Sequence, residues 1–125
     1  MYEYRARALE DKDVYDGDTV TLEVDLGFHA SMRKMKFRLL GIDTPELRGG
    51  TDETKAAARA ARDYLRKLIV GKELKIKTFK SSNYIDKKGK YGRWLCIIYV
   101  RDIPDIVSVN DQLVLEGHAV VKEYG

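Results

Sequence analysis

Val20-Thr21-Leu22-Glu23-Val24-Asp25-Leu26 alternates apolar and polar residues, and after Gly27 to Ser31 a second run, Met32 to Ile42, resumes the period with Met35, Phe37 and Leu39 opposite Lys36 and Arg38. A period of two puts successive side chains on opposite faces, so both runs read as half-buried strands and Gly27 to Ser31 as their hairpin. The first strand is read as Val14 to Phe28, following a turn at Asp16-Gly17, and Tyr2 to Leu9 as a short, mixed partner that makes the group an antiparallel meander. Downstream, Thr51-Asp52-Glu53 supplies a cap and acids for a helix start, Ala56 to Ile69 carries apolar residues at helical spacing, and Gly71 stops the helix. Leu74, Ile76, Thr78 and Phe79 suggest a fourth strand, Lys80 to Lys90 a polar loop, and Trp94 to Val100 a fifth strand ended by Pro104. Ile106 to Leu115 reads as a second helix, with Gly117 past its end.

This order, mainly β with two or three helices, suits a curved five-stranded OB-fold barrel, because closing the sheet protects its edges. Periodicity alone also fits other small α+β folds. At 125 residues and 44% hydrophobic content, residues 1–125 make one domain with one core. The net charge of +3 permits nucleic-acid binding without demanding it. Cys96 is the only cysteine, which excludes an intrachain disulfide and, within Leu95-Cys96-Ile97-Ile98, fits a small buried residue. The first residues lack the apolar region of a secretory signal, and no apolar stretch reaches membrane-spanning length. A cytoplasmic monomer away from membranes is the expectation, or a secreted one if an export segment has been removed.

Two acidic tetrads stand out: Asp16-Gly17-Asp18-Thr19, and Asp43-Thr44-Pro45-Glu46 after Phe37-Arg38-Leu39-Leu40. Singly, the first is an ordinary turn and the second an ordinary strand exit. Together with Arg38 and Arg93 they form an inventory for phosphodiester hydrolysis. A carboxylate pair can hold a hard divalent cation, a third can handle water, and two guanidiniums can grip a phosphoryl group bidentately. An all-oxygen donor set suits Ca²⁺, Mg²⁺ or Mn²⁺ rather than zinc, and His29 and His118 have no metal-ligand spacing with Cys96.

These tetrads, with Lys90-Tyr91-Gly92-Arg93 and Val109-Asn110-Asp111 ahead of Leu115-Glu116-Gly117, resemble the staphylococcal nuclease (thermonuclease) family in composition and order. The resemblance covers nearly the whole chain. It implies an OB-fold, calcium-dependent nuclease that cleaves single-stranded DNA and RNA, and duplex DNA less readily, leaving 3′-phosphate ends. By the same resemblance Asp18, Asp43 and the Thr44 carbonyl would hold Ca²⁺, Glu46 would accept a proton from the attacking water or orient it, and Arg38 and Arg93 would stabilise the phosphoryl charge. Lys90 and Tyr91 would bind a terminal phosphate. Where the family carries an aromatic pair near its end, this chain reads Val120-Val121-Lys122-Glu123-Tyr124-Gly125.

Two basic features stand beside that pattern. Lys55, Arg59, Arg62 and Arg66 recur at helical spacing, either as a binding face or as a solvated one with Asp63 paired to Arg59. Lys87, Lys88 and Lys90, with Tyr84, lie in the loop that runs into Arg93 and would guide a strand toward it. The alternative to an enzyme is a catalytically idle OB-fold module that binds single-stranded nucleic acid.

Overall fold

The computed structural model describes residues 2–79, 94–101, 103–104 and 107–122. Its first half is four strands: β1 (Tyr2–Arg7), β2 (Val14–Asp16), β3 (Thr19–Gly27) and β4 (Ala30–Leu39). The stretch read as one strand from Val14 is divided, because Gly17 and Asp18 reverse the chain and pair Asp16 with Thr19. β3 and β4 form the expected antiparallel hairpin, although β4 carries one residue too many. Leu22 faces Met35 and Val24 faces Met32, so Arg33 and Lys34 together oppose Glu23, and Lys34 adopts a φ of 58°. This bulge brings Met32 and Met35, an odd number of residues apart, to the same groove with Val24 and Phe37, which unbroken alternation would forbid.

After a two-residue strand β5 (Ile42–Asp43) come helix α1 (Asp52–Ile69), strands β6 (Leu74–Phe79) and β7 (Trp94–Val100), helix α2 (Val109–Leu115) and a second two-residue strand, β8 (Val120–Val121). β3 pairs with β4, β4 with β7 in parallel, β7 with β6, β6 with β1, and β1 returns to β3. The closed five-stranded mixed barrel with two helices is the expected OB-fold, α+β in class. Val20, Leu22, Phe37, Leu39, Ile76 and Ile98 fill its interior, each apolar side chain contributing about 1.5–3 kcal/mol by burial.

α1 forms where its signals stand. Thr51 accepts a hydrogen bond from the Thr54 amide at 3.2 Å, and Ala58, Ala61, Leu65 and Ile69 line the buried face. α2 starts later than Ile106, which lies outside the described residues: Ser108 caps it by accepting from the Asp111 amide at 3.0 Å. Asn110 then faces the barrel. Its carboxamide accepts from the Ile98 amide at 3.1 Å and donates to the carbonyls of Leu40 and Cys96 at 2.9 and 3.1 Å, tying α2 to the residue after β4 and to the middle of β7. The small β5–β8 sheet was not anticipated, because two residues at each end of a long connection carry no periodic signal. Cys96 is fully buried, and burial pushes its thiol well above the ordinary range, as suits a packing residue. Among the described residues no helix is long and apolar enough to cross a membrane.

Candidate functional site

The two acidic tetrads meet beside Arg38. Register places Arg38 opposite Thr19 on β3 and Leu95 on β7, so Asp18 stands one residue from its neighbour across the ladder. The Leu39 amide donates to the Asp18 carbonyl at 2.8 Å and extends that pairing. Beyond Leu39 the chain reverses through Gly41, whose φ of 81° is open to glycine at little cost, and β5 returns over the outward face of β4. That return covers Arg38. Alternation alone would leave this side chain in solvent, yet it is buried with 7% of its surface exposed.

Its guanidinium joins the two acids. One terminal nitrogen lies 2.9 Å from Asp18 Oδ2, and the other lies 2.9 Å from Asp43 Oδ1 and 3.3 Å from the Ile42 carbonyl oxygen. Asp18 Oδ2 also accepts the Thr44 amide at 3.1 Å, and Asp18 Oδ1 accepts the Thr19 hydroxyl at 3.2 Å. Asp16, which has no assigned role from sequence, belongs to the same cluster: its Oδ1 accepts the Asp18 amide at 3.0 Å. Burial, followed by the hydrogen bond and charge of Asp18, pushes the Asp16 carboxyl up to about 7. For Asp18, burial acts upward but is outweighed by the hydrogen bond from Asp16, the Arg38 charge and the Thr44 amide, so its carboxyl is held below the ordinary range.

Gly17 gives the corner its tightness. A Cβ there would stand 2.9 Å from Ala61 Cβ of α1, 2.9 Å from Thr44 Cγ2 and 3.0 Å from Thr44 Oγ1. The turn is therefore wedged between the helix and Thr44, and glycine is needed here for space. Thr44 Oγ1 is buried without a hydrogen-bond partner among the described residues. Two carboxylates, Asp18 and Asp43, share the single guanidinium of Arg38 and leave negative charge in excess, and every nearby donor is a hard oxygen. This arrangement fits a hard divalent cation. Among the described residues no three His, Cys, Asp or Glu side chains group tightly enough to hold a metal by themselves, so such an ion would take two carboxylates, the Thr44 carbonyl, water and phosphate.

The family described as staphylococcal nuclease homologue matches residues 36–125. The chain belongs to that family. A thermonuclease of Staphylococcus intermedius is 27% identical to it over 113 residues, covering 90% of this chain and 58% of that protein. An uncharacterized protein of Methanocaldococcus jannaschii is 35% identical over 121 residues, covering 86% of this chain and 56% of that protein. The chain thus spans rather more than half the length of these relatives.

Of the other residues that the staphylococcal nuclease pattern singles out, Glu46 is exposed on the segment after β5, and no described side chain pairs with it. Arg93, Lys90, Tyr91, Lys87, Lys88, Tyr84 and Tyr124 lie outside the described residues. The expected Asp63–Arg59 pair does not form. Asp63 Oδ1 instead meets Arg62 at 3.1 Å and Arg66 at 3.7 Å, and Arg66 also donates to the Val14 carbonyl at 3.1 Å. His118 packs its ring on Tyr64 with centroids 4.7 Å apart, away from the acids. Asn110 and Asp16 are the polar residues whose parts sequence reasoning missed. Their only signal was that each stands inside a motif.

Proposed function

We propose that the protein is a metal-dependent nuclease that hydrolyses phosphodiester bonds of single-stranded DNA and RNA, and of duplex DNA less readily, leaving 3′-phosphate ends. The observation that supports this reading best is the convergence of Asp18 and Asp43 on Arg38, with the Thr44 amide on Asp18, at one corner of an OB-fold barrel in a family that includes nucleases. Ca²⁺ is the proposed metal, held by the carboxylates of Asp18 and Asp43 and the Thr44 carbonyl. When bound, it would polarise the phosphate and supply positive charge where the displacement builds negative charge. Arg38 binds and stabilises the phosphoryl oxygens together with Arg93, and Asp18 and Asp43 hold the Arg38 fork in one orientation before substrate arrives. Glu46, exposed to solvent, accepts a proton from the attacking water or orients it. Lys90 and Tyr91 hold a terminal phosphate.

A second reading, a catalytically idle module that binds single strands, draws on the same corner. Arg38 already spends both terminal nitrogens on carboxylates. Digestion of end-labelled single-stranded DNA with Ca²⁺, Mg²⁺ or chelator, with the product ends identified, separates the two. Metal-dependent cleavage to 3′-phosphates supports the nuclease, whereas binding without cleavage under every metal supports the idle module.

A further inference from the structure

Four cations border the buried seam of α1. Lys55, Arg59, Arg62 and Arg66 recur at spacings of four, three and four, and three of them each follow a core residue: Ala58, Ala61 and Leu65. Their flank of the helix is fixed by two contacts. Arg66 donates to the Val14 carbonyl of β2 at 3.1 Å, and Ala61 abuts Gly17 in the turn that carries Asp16 and Asp18. The cations therefore run along the strand that leads into the acidic corner and on past it. From Lys55 to Arg66 the stripe extends roughly 16 Å, the length of a few nucleotides of single strand.

Its charge is poorly compensated. One carboxylate oxygen, Asp63 Oδ1, serves both Arg62 and Arg66, while Asp18 and Asp43 are met by Arg38 rather than by the helix. Among the described residues Lys55 and Arg59 meet no acidic side chain in an ion pair. The side chains of Arg62 and Arg66 are only 23% and 25% exposed, so they lie along the surface with much of their rotamer freedom already lost. No large apolar side chain is exposed on α1 among the described residues, so the face lacks the anchors that docking of a protein helix would need. We propose that this flank of α1 is a phosphate track for single-stranded nucleic acid, carrying the part of the strand that extends beyond the corner around Arg38. The choice of ligand rests on the nucleic-acid reading above. The track itself requires no catalysis.

The test measures binding of an oligothymidylate of about a dozen nucleotides across a salt series in chelator, so that nothing is cleaved. Lys55→Gln, Arg59→Gln and Arg62→Gln combined should weaken binding and flatten the slope of log K against log salt by about 2, since each phosphate contact on a single strand contributes about 0.7. Arg66 is left in place because it holds Val14. Combined Arg59→Lys and Arg62→Lys should keep the parental slope, because counterion release follows charge rather than the guanidinium fork. Calorimetric Ca²⁺ affinity should be unchanged in both. Should the triple variant fail to fold, Arg59→Gln alone, at an exposed position, should flatten the slope by about 0.7. A parental slope in the glutamine variants overturns the track and returns the face to solvent. Hydrolysis with an unchanged slope removes the track and spares the nuclease, whereas a flattened slope without hydrolysis under any metal leaves the track on an idle module.

Discussion

The two ends of β4 obey opposite rules. At its start, Phe28 and His29 turn the hairpin with φ angles of 53° and 61°, and Phe28 stands fully in solvent. Near its end, Arg38 has 9% of its side chain exposed and a carboxylate on each terminal nitrogen. Residues at the tip adopt an unfavourable backbone because the strand register demands a tight reversal, and Phe28 buries nothing there. Residues at the corner are held by several partners at once: Asp18 alone meets Arg38, Thr44, Thr19 and Asp16. A group that must meet a charged phosphate in one geometry belongs where contacts over-determine it, and strain is tolerable where they do not.

The largest test of this contrast is Arg38→Lys. Lysine keeps the charge but replaces the rigid fork, one terminal nitrogen on each of Asp18 and Asp43, with a single freely rotating ammonium, so the orientation of the donors is lost while part of the charge balance survives. Turnover under saturating single-turnover conditions should fall by about 10²-fold or more, close to 3 kcal/mol of barrier, with a smaller change in melting temperature. Near-parental rates with calcium bound would show that the fork is structural and would favour the idle module. A companion measurement removes one carboxylate at a time. Asp18→Asn and Asp43→Asn should each weaken Ca²⁺ binding in calorimetric titration, and unchanged affinity in both would strike them from the ligand set.

Next in size is Asn110→Ala. The substitution leaves the Ile98 amide and the Leu40 and Cys96 carbonyls without their side-chain partner, and each buried polar group deprived of a partner costs about 1–3 kcal/mol. A loss of about 3 kcal/mol in urea unfolding is expected, with Ca²⁺ affinity nearly intact because Asn110 supports the far side of Leu40. If Ca²⁺ binding falls in step with stability, the corner is less self-sufficient than its own bonds imply.

How legible these regions were in the sequence follows from how local their causes are. α1 could be read directly, since its cap, its buried seam and its stop lie within one continuous stretch. The β3–β4 hairpin could be read for the same reason, but not its bulge, because nothing about Lys34 announces a left-handed backbone. Motif spacing brought out Asp18, Arg38 and Asp43 as one group. It did not bring out the burial of Arg38, which arises only when Gly41 folds β5 back over β4 and Val120 and Val121 pin it there. Asp16 escaped notice because its part depends on a shared environment with Asp18, a property of packing rather than of residue type.

Gly17→Ala probes the packing of the corner directly. The new Cβ would meet Ala61 and Thr44 at distances that real side chains do not show, so either α1 recedes or Thr44 shifts away from Asp18. Overpacking of this kind typically costs about 1–3 kcal/mol, and a shifted Thr44 carbonyl should lower Ca²⁺ affinity severalfold. Adding Ala61→Gly removes one of the two obstacles and should recover part of the affinity despite the helix penalty of about 1 kcal/mol. Parental Ca²⁺ affinity in the single variant would mean that the wedge serves the fold alone.

The smallest effect belongs to the hairpin tip and has the opposite sign. A two-residue reversal with positive φ at both central positions favours Asn-Gly, whereas Phe28 and His29 each hold a conformation that disfavours a branched or bulky L-residue. Phe28 is exposed, so its replacement forfeits little burial. Phe28→Asn combined with His29→Gly should therefore stabilise the protein by about 1 kcal/mol, the left-handed penalty being about 1–2 kcal/mol per residue and glycine returning some of that gain as chain entropy. Urea unfolding would show a raised midpoint with an unchanged slope, and Ca²⁺ affinity should not move because the tip and the corner lie at opposite ends of a ten-residue strand. A lowered midpoint would reveal that Phe28 or His29 makes a contact that outweighs its strain, and the tip would then belong with the corner as a place where side chains determine the backbone.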